Sequence, residues 1–177
     1  SAGNYGALVT VANGLTVGPR SWICPYSHET DGGSALFRAQ TVAIATNAGF
    51  NASFKGFGLE NGPGKGVAAP ASNRGGGGAY GGRGGRAENP ASTGGAPYGS
   101  SNAPVDCGSG GGLATTDGRG GGLARIEAAG TFELQGSLTA NGGSEGYTWG
   151  GVGGGGAGGG ISVVCGALQS DSNAVLL

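Results

Sequence analysis

The stretch GGGLARIEAAGTFEL, residues 120–134, sets the pattern of this chain, because a weaker copy, GGGISVVCGAL, follows at residues 158–168. Both copies begin at a glycine run and continue with apolar residues at alternating positions, which is typical of a half-buried β-strand. Self-similar strands separated by glycine runs indicate a solenoid, in which each turn of the chain buries its apolar face against a neighbouring turn. The repeat therefore predicts an all-β fold.

Further strands are predicted nearer the N-terminus. Residues 7–11 and 15–17 are rich in β-branched side chains and flank the turn pair Asn13-Gly14, so they indicate two short strands. Residues 35–44, with the phenylalanines that follow them, predict two or three more strands. Residues 19–33 show no clear period and are expected to form an irregular loop.

Glycine dominates the composition, with 46 of the 177 residues, about four times its ordinary share. Glycine loses the most backbone entropy on folding and has no side chain to bury, so such a chain is either disordered or held by backbone pairing. Strong net charge would favour disorder, but 9 Lys+Arg residues nearly balance 10 Asp+Glu residues. We therefore expect an ordered fold.

The whole chain is predicted to be a single domain, residues 1–177, in which residues 56–122 form a glycine-rich insertion. Within it the stretch GGRGGR, residues 81–86, repeats with a period of three. That period matches an extended polyproline II-like helix, whose backbone needs partners on neighbouring segments. The alternative is that the insertion is one long flexible loop.

Three ranges carry a resemblance to a known family. Residues 122–143, which include the motif GSLTANGG, match best, residues 150–168 match second, and residues 75–112 resemble an insertion between coils. The chain thus resembles the glycine-rich parallel β-helix, or β-solenoid, modules of large cell-surface and extracellular proteins of bacteria and protists. The first 55 residues depart from the pattern. The resemblance implies a right-handed parallel β-helix, a cell-surface or extracellular structural role, and no catalytic residues.

Composition also bears on partners and location. A net charge of −1 provides no electrostatic footprint for nucleic acid, and no apolar run reaches the roughly 18 residues that a membrane span needs. The chain begins at Ser1 without a methionine or a signal peptide, as a processed piece of a larger precursor would. We expect a secreted or cell-surface protein with neither a nucleic-acid partner nor a membrane span.

The three cysteines, Cys24, Cys107 and Cys165, lie far apart and lack the short spacing of a zinc or thioredoxin site. One disulfide and one odd thiol is the simplest interpretation, and any of the three pairings satisfies it. Three buried free thiols are the alternative. Asn51 begins the triplet Asn51-Ala52-Ser53, an acceptor pattern for N-glycosylation.

No catalytic, cofactor-binding or metal-binding residue is predicted, and we expect the protein not to be an enzyme. The single imidazole, His28, lies in a polar stretch that reads as a hydrated loop. Residues 142–146 satisfy the Gly-x-Ser-x-Gly form of a hydrolase nucleophile elbow, but that motif requires a strand-turn-helix that the sequence does not support.

The C-terminal residues Val175, Leu176 and Leu177 form an apolar, strand-like end without a polar cap. Solenoids need caps to stay soluble, and a head-to-tail contact that does not close produces a filament. We therefore predict a structural subunit of an extracellular filament or cell-surface coat that assembles end to end through backbone β-pairing.

The main alternative is a glycan- or receptor-binding adhesin module, phage-fibre-like or on a cell surface. Aromatic side chains among glycines can stack on sugar faces or fill a core. Four aromatic residues lie among glycines in this chain: Tyr80, Tyr98, Tyr147 and Trp149. An ice-binding protein is a further alternative, although the regular threonine arrays expected of an ice-binding face are missing from the sequence.

Overall fold

The computed structural model describes residues 6–70, 73–88, 90–100, 102–113, 118–144, 147–148, 151–172 and 174–177. Within these ranges the regular elements are all β-strands, and no helix is long and apolar enough to cross a membrane. In chain order the strands are β1 Ala7–Thr10, β2 Gly14–Val17, β3 Trp22–Ile23, β4 Ala35–Ala39, β5 Thr41–Ile44, β6 Gly49–Asn51, β7 Leu123–Leu134, β8 Ser137–Thr139, β9 Tyr147–Thr148, β10 Gly151–Val152, β11 Gly160–Ser170 and β12 Val175–Leu176.

Ten of these strands form two parallel sheets. In the six-stranded sheet β1 and β2 lie on β4 and β5, which together lie on the long strand β7, and β11 lies on the other side of β7. In the four-stranded sheet the order is β3, β6, β8 and β12. We call the successive layers the first level (β1–β3), the second (β4–β6), the third (β7–β8) and the fourth (β11–β12). Strands β9 and β10 form a separate antiparallel pair.

The apolar core lies between the two sheets, because alternate residues of each strand point inward. Phe50, Phe132 and Leu138 are fully buried there, with Ile126 of β7 beside them. The rings of Phe37 and Phe50 meet edge to face, with centroids 5.1 Å apart. Fully burying side chains of this size contributes about 1.5–3 kcal/mol each. Side-chain packing thus stabilises the half of the molecule that contains the parallel sheets, which we call the sheet half.

The rest of the molecule is held by backbone hydrogen bonds between extended glycine-rich segments, and we call it the glycine half. The N–H groups of Gly76, Gly77 and Gly78 donate to the carbonyls of three different segments, at Val67, Gly85 and Gly155. The next N–H, that of Ala79, donates to Gly64, on the segment that Gly76 also contacts. Donor directions therefore repeat every three residues, as in a polyproline II-like backbone, and this part of the chain is an ordered structure.

These segments approach too closely for side chains. A Cβ at Gly75 would overlap the carbonyl oxygen of Gly112, and one at Gly111 would overlap that of Gly154. By contrast, a Cβ at Gly81 or Gly82 would meet nothing within 4 Å. Glycine is thus required where two backbones touch, and not at every position of the runs.

The structure corrects the predicted fold class. The fold is all-β with parallel strands, but the sheets form a half-barrel, and the predicted right-handed β-helix or solenoid with a glycine-rich insertion is wrong. The N–H of Gly121 donates to Ala157, and that of Ala157 donates to Ser109, so residues 56–122 are bonded to later glycine segments within one body. The sequence pattern failed here because glycine carries no side chain that shows which segment it contacts.

Candidate functional site

The fourth level presents an uncovered edge. Strand β11 pairs with β7 on one side, and no strand of the described chain pairs with its other side. Its inward-facing residues Ile161, Val163 and Cys165 are only half-buried, although they pack against the core. Val164 on the outward face and Leu168 are 62% and 63% exposed. An eleven-residue strand that has apolar side chains and an edge with which no described strand pairs is a template for pairing with another strand.

An apolar groove runs along this edge. Its volume is about 420 Å³. The residues that line it come from the third level below and from the fourth level around it: Phe132, Leu134, Leu138, Ile161, Val163, Cys165, Leu168, Ser170, Asp171, Ala174 and Leu176. Since only Asp171 among them is charged, the groove suits an apolar occupant.

The opposite end of the stack is uncovered in the same way. Strand β1 pairs with β4, β2 with β5 and β3 with β6, and the described chain places no strand on the far side of any of them. Leu8, Val9 and Trp22 are exposed there, and Val11 and Leu15 are half-buried against the core. The molecule therefore has two apolar, unpaired ends that face away from each other along the stack.

The predicted assembly end, Val175, Leu176 and Leu177, lies at the fourth level. Val175 and Leu176 form β12 on β8, and all three side chains are exposed. The N–H of Leu177 donates to Leu138, and its carbonyl accepts the N–H of Ala140. The sequence prediction missed β11 and the first level as parts of the two ends. The signal for β11 was present in residues 161–168, whose alternation repeats that of β7.

The three cysteines are free thiols in different surroundings: Cys24 is exposed, Cys165 lies in the groove, and Cys107 is buried. A disulfide between two of them stays a prediction. Burial raises the pKa of the Cys107 thiol above its ordinary value of 9.0. Beside it the Tyr98 hydroxyl donates to the Cys107 carbonyl, and the Ser109 hydroxyl lies 2.9 Å from that of Tyr98. Desolvation raises the pKa of Tyr98 as well.

The loop around His28 borders an open groove of about 790 Å³. The imidazole Nδ1 lies 3.1 Å from an Asp31 carboxylate oxygen and 3.2 Å from the Thr30 hydroxyl, all at the surface. Glu29 forms an ion pair with Arg119 instead of facing His28. Among the described residues no group of three His, Cys, Asp or Glu side chains could hold a metal ion. The side chains of this loop are polar and exposed, and they contact one another at the surface.

Asn51 is half-buried at the end of β6. Its side-chain oxygen accepts the N–H of Ser53 at 3.0 Å and the hydroxyl of Thr139 at 3.1 Å. The side-chain oxygen of this amide is therefore engaged in the folded protein, and glycosylation of its nitrogen stays a prediction.

The four aromatic residues that lie among glycines are Tyr80, Tyr98, Tyr147 and Trp149, and the structure describes the side chains of the first two. Tyr80 and Tyr98 meet at an angle of 64° with centroids 5.3 Å apart, and the hydroxyl of Tyr98 points inward to Cys107, which is the arrangement of a plug. Trp149 and the side chain of Tyr147 lie outside the described residues. In the Gly-x-Ser-x-Gly stretch, Ser144 is exposed and the two residues after it also lie outside the described part.

Comparison with protein-family models, with curated proteins and with solved structures finds no match to this chain. The resemblance to glycine-rich surface modules therefore rests on the sequence motifs alone.

Proposed function

We propose that this chain is a structural subunit that stacks head to tail on further copies of itself and builds a filament or a surface coat. The observation that carries the proposal is the pair of unpaired, apolar ends, with the groove beside β11 at one and the exposed face of β1 at the other. An extracellular or cell-surface location is part of the proposal and rests on the sequence.

The direction of the strands favours a second copy as the occupant. Every pair between consecutive levels is parallel, so the chain already makes the same kind of contact three times, from the first level to the fourth. A copy moved along the stack places its first level on this fourth level, again with parallel strands. Such a contact joins two different surfaces and does not close, so it continues into a filament.

The side chains of the two ends are also compatible with each other, because both ends are apolar. The groove is lined by the half-buried Val163 and the exposed Leu168, and the first level offers Val9 and Leu15. Burial of apolar surface contributes about 25 cal/mol per Å², and pairing satisfies the backbone N–H and C=O groups of both edges.

Sedimentation velocity of the 177-residue chain over a range of concentrations, with negative-stain electron microscopy, tests the proposal. We expect growth with concentration and regular filaments. Val163→Lys places a charge in the groove and should raise the protein concentration at which half of the chains associate by at least tenfold. Val67→Lys is the matched control, because Val67 is an exposed valine of the glycine half, and it should associate like the parent. A parent chain that stays monomeric at every concentration would contradict the proposal.

The alternative, a glycan- or receptor-binding module, has one supporting observation. The open groove at His28 also exposes the ring of Tyr26, and the Lys55 ammonium lies 4.9 Å from the centre of that ring. Saturable binding of a glycan by the monomer, abolished in Tyr26→Ala, would favour this function over stacking.

A further inference from the structure

The register of the contact between copies can be read from the length of one corner of the chain. In the six-stranded sheet each level contributes two strand stretches, and we call the short length of chain between them the corner. Thr10, Arg38, Glu127 and Val164 occupy one column before the corner. The column after it is formed by Gly14, Thr41, Thr131 and Ala167.

The corner alternates in length from level to level. Three residues lie between the columns in the first level (11–13), two in the second (39–40), three in the third (128–130) and two in the fourth (165–166). Every neighbouring pair of levels therefore sets a long corner against a short one. A hydrogen bond accompanies the step from the second level to the third, where the N–H of Gly130 donates to the carbonyl of Gln40 at 2.7 Å.

From this alternation we infer that the first level of a second copy docks on the fourth level in one register, with Thr10 on Val164, Val11 on Cys165 and Leu15 on Leu168. The inference rests on the proposed stacking function. The fourth level ends on a short corner and the first level begins with a long one, so this register continues the alternation. In it the N–H of Asn13 in the second copy donates to the Gly166 carbonyl, as Gly130 does to Gln40.

Other registers conflict with the pattern. A slip by one residue turns every inward-facing side chain of β1 outward. A slip by two keeps the faces but moves the long corner of the first level away from the short corner at Gly166. The fitting register also places apolar side chains together, because Val11 and Cys165 both pack against the same core as Ala39 and Ala128.

Cys165 makes this register testable by disulfide cross-linking. Neighbouring parallel strands lie about 4.8 Å apart, within the about 4.4–6.8 Å that a disulfide requires between Cα atoms. In a Cys24→Ser background, which removes the exposed thiol, Val11→Cys should give a ladder of linked oligomers on mild oxidation, with most chains linked. Adding Cys165→Ser should abolish the ladder.

Val9→Cys is the matched control, since Val9 lies two residues before Val11 and faces the same way but is two residues from the column of Cys165. The two Cα atoms would then be about 8 Å apart, beyond the reach of a disulfide. A ladder from Val9→Cys instead of Val11→Cys would overturn the register, and so would filaments in which neither variant links. Absence of association in the parent chain would overturn the stacking function itself.

Sedimentation of reduced Val11→Cys shows whether that variant folds and associates. If it does not, the double variant Thr10→Cys with Val164→Cys tests the same register from the outward face, where Val164 is exposed. We expect linked oligomers from this pair and none from either single substitution in a chain that also carries Cys165→Ser.

Discussion

The two halves of this molecule are stabilised in different ways. The sheet half buries side chains such as Phe50, Phe132 and Leu138 between parallel strands. In the glycine half, backbones lie directly on one another, and positions such as Gly75 have no room for a Cβ. A side-chain core tolerates changes that preserve volume and polarity, whereas backbone contact tolerates no added atom. In the glycine half, the glycine content is therefore a packing requirement.

The largest effect is expected where two glycine-half backbones touch. Gly75→Ala puts its Cβ into the carbonyl of Gly112, so the segments must separate and lose their hydrogen bonds. We expect a loss of more than about 4 kcal/mol in the free energy of unfolding, measured by urea denaturation. Gly81→Ala, where the added methyl group meets nothing within 4 Å, should change stability by less than about 1 kcal/mol. Equal losses at the two positions would contradict the close-contact explanation.

A smaller but still large effect is expected in the sheet half. Phe132→Ala removes a fully buried ring and should cost about 3–5 kcal/mol of unfolding free energy. Phe54→Ala is the matched control because the ring of Phe54 is 51% exposed, and its cost should stay below about 1 kcal/mol. Thermal unfolding followed by circular dichroism measures both. A tolerated Phe132→Ala would mean that the glycine half alone holds the sheets together.

The next effect concerns a polar side chain inside the glycine half. The Ser109 hydroxyl accepts the N–H of Gly64 at 3.0 Å and reaches Tyr98 at 2.9 Å. Ser109→Ala leaves the buried N–H of Gly64 without this partner, which costs about 1–3 kcal/mol. The exposed Ser144 provides the matched control, since Ser144→Ala should be nearly neutral. A neutral Ser109→Ala in urea denaturation would show that the backbone bonds of the glycine half need no side-chain support.

The strands in which apolar and polar side chains alternate are the ones that the sequence predicts correctly. The predicted strands at residues 7–11, 15–17 and 35–44 correspond to β1, β2, β4 and β5, and the repeat 120–134 contains β7. Alternating apolar residues identify a buried face without knowledge of the partner strand. Strand β3, at Trp22–Ile23, was missed within the predicted loop 19–33, because two residues carry no period and only the pairing with β6 orders them.

The contacts between segments of the glycine half could not be predicted from the sequence, for a physical reason. A glycine run indicates that a backbone contact exists but does not identify the contacting segment, so the sequence predicts an insertion at residues 56–122 where the structure has segments bonded to one another. The two ends were predictable only in part. Val175–Leu177 stood out as an apolar terminus, whereas the edge at β11 appears only when the strand order is known.

The smallest effect, counted per pH unit, concerns the titratable side chains of Cys107 and Tyr98. Cys107 packs in one cluster with Leu123 of β7 and Tyr98 lies against it, so both groups are buried where the two halves meet. Both groups are neutral when protonated, and burial raises the pKa of each in the folded protein. As pH rises through the ordinary pKa values of 9.0 for the Cys107 thiol and 10.0 for the Tyr98 hydroxyl, the unfolded chain releases these protons first. The unfolded state then binds fewer protons, so the free energy of unfolding falls with pH.

We therefore expect stability to be constant near neutral pH and to fall from about pH 9 to 11, by at most about 1.4 kcal/mol per proton and pH unit. Urea denaturation at several pH values measures the slope. Cys107→Ala should make it shallower, because only the Tyr98 contribution remains, although the variant is less stable at pH 7. If the parent and Cys107→Ala lost stability in parallel above pH 9, the contact between the halves would not be the buried one that the structure places at Cys107.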